Sequence, residues 1–408
     1  MSDRAFVHAH VPGAALPALV GQVIVIATGN DGFCRFKYAP EWLGAEHAFA
    51  LDPEALPLEN TVFDSPPGWE VFGAMRDAAP DHWGRKLIER SQNRLGLSEL
   101  EFLLAAGDER TGALGFSTGR EASVGSPAPS VTLLERLVEA AARVERDEPV
   151  DVDLLRLLWA GTGTLGGMRP KTTVESGGAL WVAKFPSRED RYAITRWEFG
   201  ALRLAGRCGL RVPEHRLETV GTHPVLLTAR FDRRARGGIR ERAHYLSGLT
   251  MLGLHERDYG SGGYADLALW LRRHGAEPAE DVRELFRRMA FNVLIGNTDD
   301  HLRNHAVIDF GEGYRLSPAF DVMPWPASGG ERVQALGVGR QGRLASIENV
   351  LSDAQQFGLK PDAAAAELTR LQAVIQRDWR DAFRNAGVAA RELALVERVI
   401  SPYTPSRG

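Results

Sequence analysis

The sequence has few cysteines, no long apolar run and no large excess of charge of one sign. Cys34 and Cys208 are the two cysteines among 408 residues, and they belong to no C-x-x-C pattern. A disulfide framework and a cysteine zinc site are therefore disfavoured, and a reducing cytoplasm fits. No run approaches eighteen apolar residues and the first residues form no signal-peptide pattern, so we expect a soluble, cytoplasmic protein without membrane contact.

The formal net charge of -4 argues against a chain built to coat nucleic acid, although local basic patches remain compatible with it. The length of 408 residues suggests two or three domains. Residues 119–130 are poor in large apolar side chains and rich in small residues and proline, as inter-domain linkers are. We therefore predict a first part over 1–120, a second over 130–230 and a third over 231–408.

Strand-like stretches concentrate in the first two parts. Val23–Thr28 and Cys34–Tyr38 predict a hairpin, and Lys171–Val174 with Leu180–Pro186 predicts another. After residue 231 the chain reads as helical apart from one hairpin over 305–316. These patterns predict the α+β class with small sheets in the N-terminal half and a helical C-terminal lobe.

The chemistry is concentrated between residues 295 and 321. Asp299 and Asn304 stand five apart, the Asp-x-x-x-x-Asn spacing with which a phosphotransferase places a base beside a hydroxyl and an amide oxygen on Mg²⁺. The following hairpin, with Gly311 and Gly313 in its turn, would return Asp321 to Asn304. Carboxylate and amide oxygens are ligands that Mg²⁺ accepts.

Each of these residues also has an ordinary explanation. Asp and Asn are common turn formers, so the spacing alone arises by chance in many proteins, and the hairpin with its second Asp is what strengthens the interpretation. His301 and His305 form an i,i+4 pair that could suggest zinc, but strand residues follow, which disfavours a metal site there.

A glycine-rich loop covers residues 161–171. Its glycines satisfy G-x-G-x-x-G, yet a strand follows where a dinucleotide-binding fold needs a helix, and no G-K-[ST] is present for a Walker loop. A kinase-type loop over the phosphates, with charge from Arg169 or Lys171, remains open, as does a flexible connection between helices.

Lys184 lies among apolar residues, where an ammonium needs an anionic partner. A nucleotide phosphate and Glu198, on the predicted helix over 191–204, would both serve, although such a lysine is more often a snorkelling residue at a strand edge. The predicted strand Val225–Phe231 would place its backbone near adenine. Six arginines between Arg230 and Arg242 could contact RNA or an acidic protein, or form a solvated loop around the nucleotide site.

Taken together, these stretches resemble the HipA family of serine/threonine kinases, the toxins of bacterial HipBA-type toxin–antitoxin pairs. The resemblance extends over nearly the whole chain. Its ordered matches are Tyr38–Trp42, Met75–Arg85, Gly166–Lys171, Trp181–Pro186, Arg230–Arg233, Asn297–Asn304 and Ser317–Val322.

The resemblance implies a two-lobed, protein-kinase-like fold that uses ATP and Mg²⁺. It makes Asp299 the catalytic residue, with Lys184 on the phosphates, His301 bracing the loop, and Asn304 and Asp321 as metal ligands. The implied nucleotide-binding set is Gly166, Gly167, Met168, Arg169, Lys171, Lys184, Glu198, Arg230, Phe231, Asn304 and Asp321. The motif is indifferent to Asp300. Thr164 and Thr162 stand where several members carry an autophosphorylated serine, and threonine at these positions leaves that regulation open.

By the same resemblance, the target is a translation protein such as an aminoacyl-tRNA synthetase, and the partner is a small HipB-like helix-turn-helix antitoxin that would bring the chain to DNA indirectly. Two alternatives stay open. One is a kinase acting on a small molecule, because the motifs do not define the acceptor cleft. The other is a nucleotide-binding regulator without transfer, against which the presence of Asp299 speaks.

Overall fold

The computed structural model describes residues 3–26, 32–107, 109–122, 127–159, 168–258, 260–326, 331–400 and 402. The chain is an α+β protein, as predicted, with small antiparallel sheets and many helices. The predicted turn at 29–32, part of the predicted linker, and Gly166, Gly167, Thr162 and Thr164 fall wholly or partly outside the described residues.

The N-terminal region is built on a five-stranded antiparallel sheet. Its strands are β1 (Arg4–Ala9), β2 (Ala18–Ile26), β3 (Phe33–Tyr38), β4 (Val62–Asp64) and β5 (Leu114–Ser117), in the order β4-β3-β2-β1-β5. Its helices are α1 (Pro40–Leu43), α2 (Gly73–Asp77), α3 (His82–Gln92) and α4 (Glu99–Ala105). The predicted hairpin is β2 with β3, in which Val23 faces Phe36. Asp81 caps α3 as expected, because its side chain accepts the Gly84 N–H.

The second region contains a four-stranded sheet with helices beside it. The helices are α5 (Leu134–Glu145), α6 (Val152–Trp159) and α7 (Ile194–Arg207), and the strands are β6 (Lys171–Ser176), β7 (Ala179–Lys184), β8 (His215–Val220) and β9 (His223–Ala229), in the order β6-β7-β9-β8. Lys171 faces Lys184 across β6 and β7, so the two predicted phosphate-site lysines lie on neighbouring strands. This pairing brings the end of the glycine-rich loop to the lysine strand.

The C-terminal region is mainly helical, but the prediction that it is helical apart from one hairpin was wrong. Its strands are β10 (Arg233–Arg236), β11 (Ile239–Arg242), β12 (His244–Ser247), β13 (Ala306–Asp309) and β14 (Arg315–Leu316). Its helices are α8 (Gly248–Met251), α9 (Tyr264–His274), α10 (Pro278–Ile295), α11 (Ile347–Ser352), α12 (Pro361–Asn385) and α13 (Ala390–Ile400). The strand β12 pairs with β13, which makes the β13–β14 hairpin part of a three-stranded sheet.

Helix α10 forms the centre of the C-terminal core. Its residues Leu285, Phe286 and Met289 are fully buried, as the apolar spacing predicts. Helices α7 and α12 pack closely because Gly200 has no side chain, and a Cβ there would lie 3.1 Å from Phe383. No helix in the described part of the chain combines the length and apolarity needed to cross a membrane.

Candidate active site

The loop over residues 297–304 begins where α10 ends. Gly296 ends the helix in the left-handed conformation with φ of 68°, and a Cβ there would lie 2.3 Å from Val399. Asn297 is buried and donates from Nδ2 to Asn292 Oδ1 at 3.2 Å. A buried, rigid helix therefore fixes the start of the loop that carries Asp299.

Asn304 is bound back to the beginning of the same loop. Its Nδ2 donates to the main-chain oxygen of Asp299 at 3.2 Å, and a short 3₁₀ turn over Leu302–Asn304 brings the two residues together. Because the amide nitrogen is used in this way, the side-chain oxygen of Asn304 is the atom available to a cation.

The hairpin of β13 and β14 returns the chain to Asp321 as predicted. Asp309 Oδ1 accepts the backbone N–H groups of residues 311, 312 and 313, and Gly311 and Gly313 adopt positive φ. Asp321 itself has φ of 53°, which is unusual for a residue other than glycine. Such a conformation costs about 1–3 kcal/mol and is found mainly at functional sites.

Lys184 joins the four-stranded sheet of the second region to the segment that follows the β13–β14 hairpin. Its Nζ lies 2.6 Å from Glu198 Oε1 and also contacts Asp321 Oδ1. Burial opposes the charge of Lys184, but the charges of Asp321 and Glu198 outweigh it and raise the pKa of the ammonium. Burial in turn raises the pKa of Glu198, against the opposing charge of Lys184. The lysine stays protonated throughout the physiological pH range.

These groups face one cavity of about 110 Å³. The predicted residues that line it are Met168, Arg169, Lys171, Lys184, Glu198, Asp299, His301, Asn304 and Asp321. Three further residues line it that the motifs did not indicate: Ile194, Met323 and Trp325. The Arg169 guanidinium lies 5.7 Å from the centre of the Trp325 ring. Nothing in the sequence indicated this contact, because it depends on the path of the chain after Asp321.

The environment of Asp299 makes its carboxylate more basic than usual. The residue is exposed to the cleft, but the cleft walls partly desolvate its carboxylate and raise its pKa. The charge of His301 opposes this shift, the charge of Asp321 adds to it, and that of Arg169 opposes it. A raised carboxylate pKa suits a group that accepts a proton from a substrate hydroxyl.

The donor set fits ATP with Mg²⁺. The Asn304 amide oxygen and the Asp321 carboxylate are hard oxygen ligands of the kind that hold Mg²⁺ beside phosphates. Lys184 and Arg169 supply cationic groups on the same cavity. Phe231 and Phe320, with ring centroids 5.4 Å apart, line a small neighbouring cavity of about 20 Å³ together with Leu202 and Lys184.

Lys171 and Arg169 are held by protein carboxylates in this structure. Lys171 is buried, with Nζ 2.6 Å from Asp81 Oδ2, and Arg169 Nε donates to Asp190 Oδ1 at 2.9 Å. Trp83 Nε1 also donates to the main-chain oxygen of Lys171 at 3.1 Å. These contacts therefore connect the end of the glycine-rich loop to α3 of the N-terminal region.

The sequence model described as the HipA-like C-terminal domain matches residues 163–379, which is more than half of the chain. The chain belongs to the HipA family. The model of the HipA N-terminal domain matches residues 18–117, so both parts of the family architecture are present.

Relatives and solved structures agree with this assignment. A Sinorhizobium fredii protein named "Putative kinase Y4mE" is 31% identical over 147 residues, which are 35% of this chain and 34% of that protein. The Shewanella oneidensis "Serine/threonine-protein kinase toxin HipA" is 23% identical over 337 residues, 75% of this chain and 72% of that one. A solved complex of the Shewanella oneidensis MR-1 HipA with HipB and operator DNA has the same fold, with a TM-score of 0.71, 19% identity and coverage of 97% of this chain and 95% of that chain.

The matches to two Sinorhizobium relatives cover less than half of each relative's length. This HipA-family chain spans about a third of the first Sinorhizobium relative, and 44% of a second one named "Putative kinase Y4dM", to which it is 30% identical.

Arg230 was predicted to bind nucleotide, and the structure of this HipA-family chain contradicts this. Its guanidinium is fully buried and donates to both oxygens of Asp232 and to the main-chain oxygen of Arg110. Arg233 Nη1 lies 2.8 Å from Asp232 Oδ2, and Glu109 lies 3.6 Å from Arg230. Arg230 belongs to an ionic cluster that joins the end of strand β9 to the N-terminal region. Because its guanidinium is bound there, it does not reach the phosphate site.

The arginine-rich segment is a hairpin rather than a loop, with an exposed turn at residues 235–238. It forms the hairpin of β10 and β11, in which Arg234 Nε lies 2.6 Å from Glu241 and Arg236 lies 3.5 Å from Glu312. Arg242 is buried. The sequence showed the positive charges together but not the carboxylates that meet them from elsewhere in the chain.

Asp300, to which the motif is indifferent, is a central residue of this HipA-family site. It is buried, accepts a hydrogen bond from the Tyr264 hydroxyl and lies 3.0 Å from His305 Nε2. Asn292 Nδ2 donates to the Tyr264 hydroxyl at 3.2 Å, which extends the network to α10. His305, the second member of the considered zinc pair, is thus engaged by a carboxylate. The sequence shows two adjacent aspartates, but only the structure shows that Asp299 is exposed and Asp300 is buried.

Proposed function

We propose that the chain is a Mg²⁺- and ATP-dependent kinase that transfers the γ-phosphoryl group to a serine or threonine hydroxyl of a protein. One observation carries the proposal: Lys184, Asp299, Asn304 and Asp321, from three separate parts of the sequence, line a single cavity. A protein that only binds nucleotide has no need of Asp299 at this place.

The step assigns one role to each group. The acceptor hydroxyl oxygen bonds to the γ-phosphorus, the bond from that phosphorus to the β-phosphate oxygen breaks, and ADP leaves. Asp299 orients the hydroxyl and takes its proton, for which a raised pKa suits it. Lys184 holds the α- and β-phosphates, and its position is fixed by Glu198. Mg²⁺ bound by Asn304 and Asp321 would offset negative charge on the phosphates.

The proposed partner follows from a solved relative, and the proposed target follows from the resemblance to the HipA family. The related Shewanella oneidensis HipA has been solved with HipB and operator DNA, which supports a HipB-like antitoxin as the partner here. DNA would then be contacted through that antitoxin, since the arginine-rich hairpin is internally paired. A translation protein such as an aminoacyl-tRNA synthetase is the proposed target, and Thr162 or Thr164 the proposed site of autophosphorylation.

The test is incubation of the purified chain with γ-labelled ATP and Mg²⁺, alone and with cell extract, followed by intact-mass analysis and peptide mapping. We expect label on extract proteins, a mass gain on the chain that maps to Thr162 or Thr164, and loss of both when EDTA removes Mg²⁺. Label that appears only on small molecules would support the alternative acceptor class. No transfer to any acceptor, with ATP still bound, would leave the chain as a nucleotide-binding regulator.

A further inference from the structure

A second and larger cavity, of about 460 Å³, lies beside the phosphotransfer cavity. The two share Met168 and His301, so the larger one adjoins the place where the acceptor hydroxyl must lie. Its walls come from the segment Arg76–Arg85 of the N-terminal region, from the loop at 301–303, and from five further residues: His255, Glu256, Asp258, Gly260 and Ser261. A space of this size holds several side chains.

Arg76 is the feature of this cavity that the proposed chemistry has not used. It is 5% exposed, its Nη2 donates to the Leu254 main-chain oxygen at 2.8 Å, and its guanidinium stacks on Trp69 with 4.8 Å to the ring centroid. Its Nε and Nη1 have no hydrogen-bond partner, and no carboxylate forms an ion pair with it, in the described part of the chain. A buried guanidinium without an ion-pair partner is costly, and a ligand that supplied the anion would lower that cost.

Arg85, Arg303 and Asp81, which also line the cavity, form ion pairs. Arg85 Nη2 donates to Glu99 Oε2 at 2.7 Å, and Arg303 contacts Glu256. Asp81 is neutralised by Lys171, and Asp258 accepts the His255 backbone N–H at 2.8 Å. Of the three arginines that line this cavity, Arg76 is therefore the one that forms no ion pair within the described residues.

The titration of nearby groups agrees with a positive potential. Burial would raise the pKa of Glu256, but the charges of Arg303, Arg76 and Arg85 outweigh it and lower that pKa. Burial lowers the pKa of His255, and the charges of Arg76 and Arg257 lower it further. The nearby arginine charges therefore favour the ionised form of Glu256 and, together with burial, the neutral form of His255.

We propose that this cavity receives the acceptor segment of the protein substrate, and that Arg76 binds an acidic side chain near the serine or threonine that is phosphorylated. The inference rests on the proposed kinase function. A substrate carboxylate would give Arg76 the partner that the chain does not supply, and the cost of removing the guanidinium from water has already been met on folding. Arg76 is thus a specificity-determining residue rather than a catalytic one.

The test begins with the sites that the parent kinase labels in cell extract, mapped by mass spectrometry. We expect Asp or Glu within a few residues of the labelled hydroxyl. The mapped substrate is then prepared with that acid changed to its amide, and parent, Arg76→Gln and Arg76→Lys are compared. Arg76→Gln should lower kcat/KM for the acidic substrate about 10- to 100-fold, mainly through KM, as expected for a lost charged hydrogen bond. Arg76→Lys should fall between the two, because it keeps the charge but loses the planar fork.

The amide-substituted substrate separates specificity from a folding defect. With the amide substrate, kcat/KM of the parent should fall by the same factor as kcat/KM of Arg76→Gln falls with the acidic substrate. Changing the substrate to the amide should not lower kcat/KM of Arg76→Gln any further. Arg35→Gln, which removes an exposed arginine paired with Asp64 on the N-terminal sheet, serves as the control and should leave all values unchanged. Thermal unfolding and ATP affinity are measured for every variant.

Three results would overturn the inference. The first is that the labelled sites have no acidic residue nearby. The second is that the losses in kcat/KM caused by Arg76→Gln and by the amide substrate add up. The third is that RNA inhibits the parent kinase and that Arg76→Gln relieves this inhibition. If the parent labels nothing at all, the proposed kinase function fails first. If it labels substrates regardless of nearby charge, the kinase function stands and the role of Arg76 is wrong.

Discussion

The ammonium of Lys184 lies between two carboxylates, 2.6 Å from Glu198 Oε1 and in contact with Asp321. One residue on β7 thereby connects α7 to the hairpin that carries the proposed metal ligand. The arrangement keeps two acidic side chains together in a partly dry cleft, where they would otherwise repel each other. The position of Asp321 thus depends on a strand more than a hundred residues earlier in the chain.

Replacing Lys184 should damage both transfer and folding. In Lys184→Met, Glu198 and Asp321 lose their common counter-charge, and we expect about 3–5 kcal/mol of destabilisation. Phosphate transfer should fall about 100- to 1,000-fold, because a cation on the phosphates is lost. Urea unfolding and steady-state kinetics measure the two effects.

The matched control for this change is Lys86→Met. It removes the same charge from a lysine on α3 that is 40% exposed and lies 3.9 Å from Asp147. It should alter the unfolding free energy by less than about 0.5 kcal/mol. Equal effects of the two substitutions would show that the position of Lys184 has no special importance.

The acid limb of the pH–rate profile should report Asp299. Transfer needs its carboxylate deprotonated, and because its pKa is raised, activity should begin to fall at a pH above the usual aspartate range as the solution is acidified. Arg169 lowers this pKa, so Arg169→Gln should move the limb to still higher pH. The measurement is kcat/KM against pH. If the acid limb lies at the same pH in both proteins, the charge of Arg169 does not influence the pKa of the catalytic base.

Asp300 should act by holding the catalytic loop. Asp300→Ala leaves the Tyr264 hydroxyl and the His305 ring without their buried acceptor, which should cost about 1–3 kcal/mol of stability. We expect kcat to fall about 10- to 100-fold through misplacement of Asp299, with the ATP dissociation constant little changed. Calorimetric ATP titration beside turnover measurements tests this. Unchanged kcat in a folded variant would contradict the positioning role.

The ionic cluster around Asp232 should contribute to stability and not to catalysis. Asp232→Asn removes the carboxylate from the buried Arg230 and Arg233 and should cost about 3–5 kcal/mol. The charges of these arginines outweigh burial and lower the pKa of Asp232. Its contribution should therefore be complete above the unfolded pKa of about 4 and disappear only as pH falls through the lower folded value. Unfolding free energies of parent and variant at neutral and acidic pH measure it, and a variant as stable as the parent would contradict the account.

Local patterns in the sequence predicted much of what surrounds the site. The apolar spacing on α10 defines a helix that must be buried, and the Gly311–Gly313 turn defines a hairpin, so the return of Asp321 towards Asn304 followed from nearby residues alone. The pairing of Lys184 with Glu198 was also accessible, because a lysine in an apolar strand requires an anion.

What the sequence did not reveal depends on distant contacts. Arg230 is excluded from the nucleotide site by Asp232 and by the carbonyl of Arg110, and nothing near it in sequence distinguishes a buried arginine from one that binds phosphate. Lys171 is paired with Asp81 from the N-terminal region. The left-handed conformation of Asp321 could not be predicted locally, because glycine is the residue that usually indicates such a conformation in a sequence.

The most direct test of the central claim is single-turnover transfer of γ-phosphate by Asp299→Asn, with ATP affinity measured on the same preparation. Glu312→Gln, an exposed change in the turn of the catalytic hairpin, is the control. We predict that Asp299→Asn binds Mg-ATP as the parent does and transfers phosphate at least about 100-fold more slowly, while Glu312→Gln matches the parent in both. Transfer by Asp299→Asn at the parental rate would contradict the proposed active site.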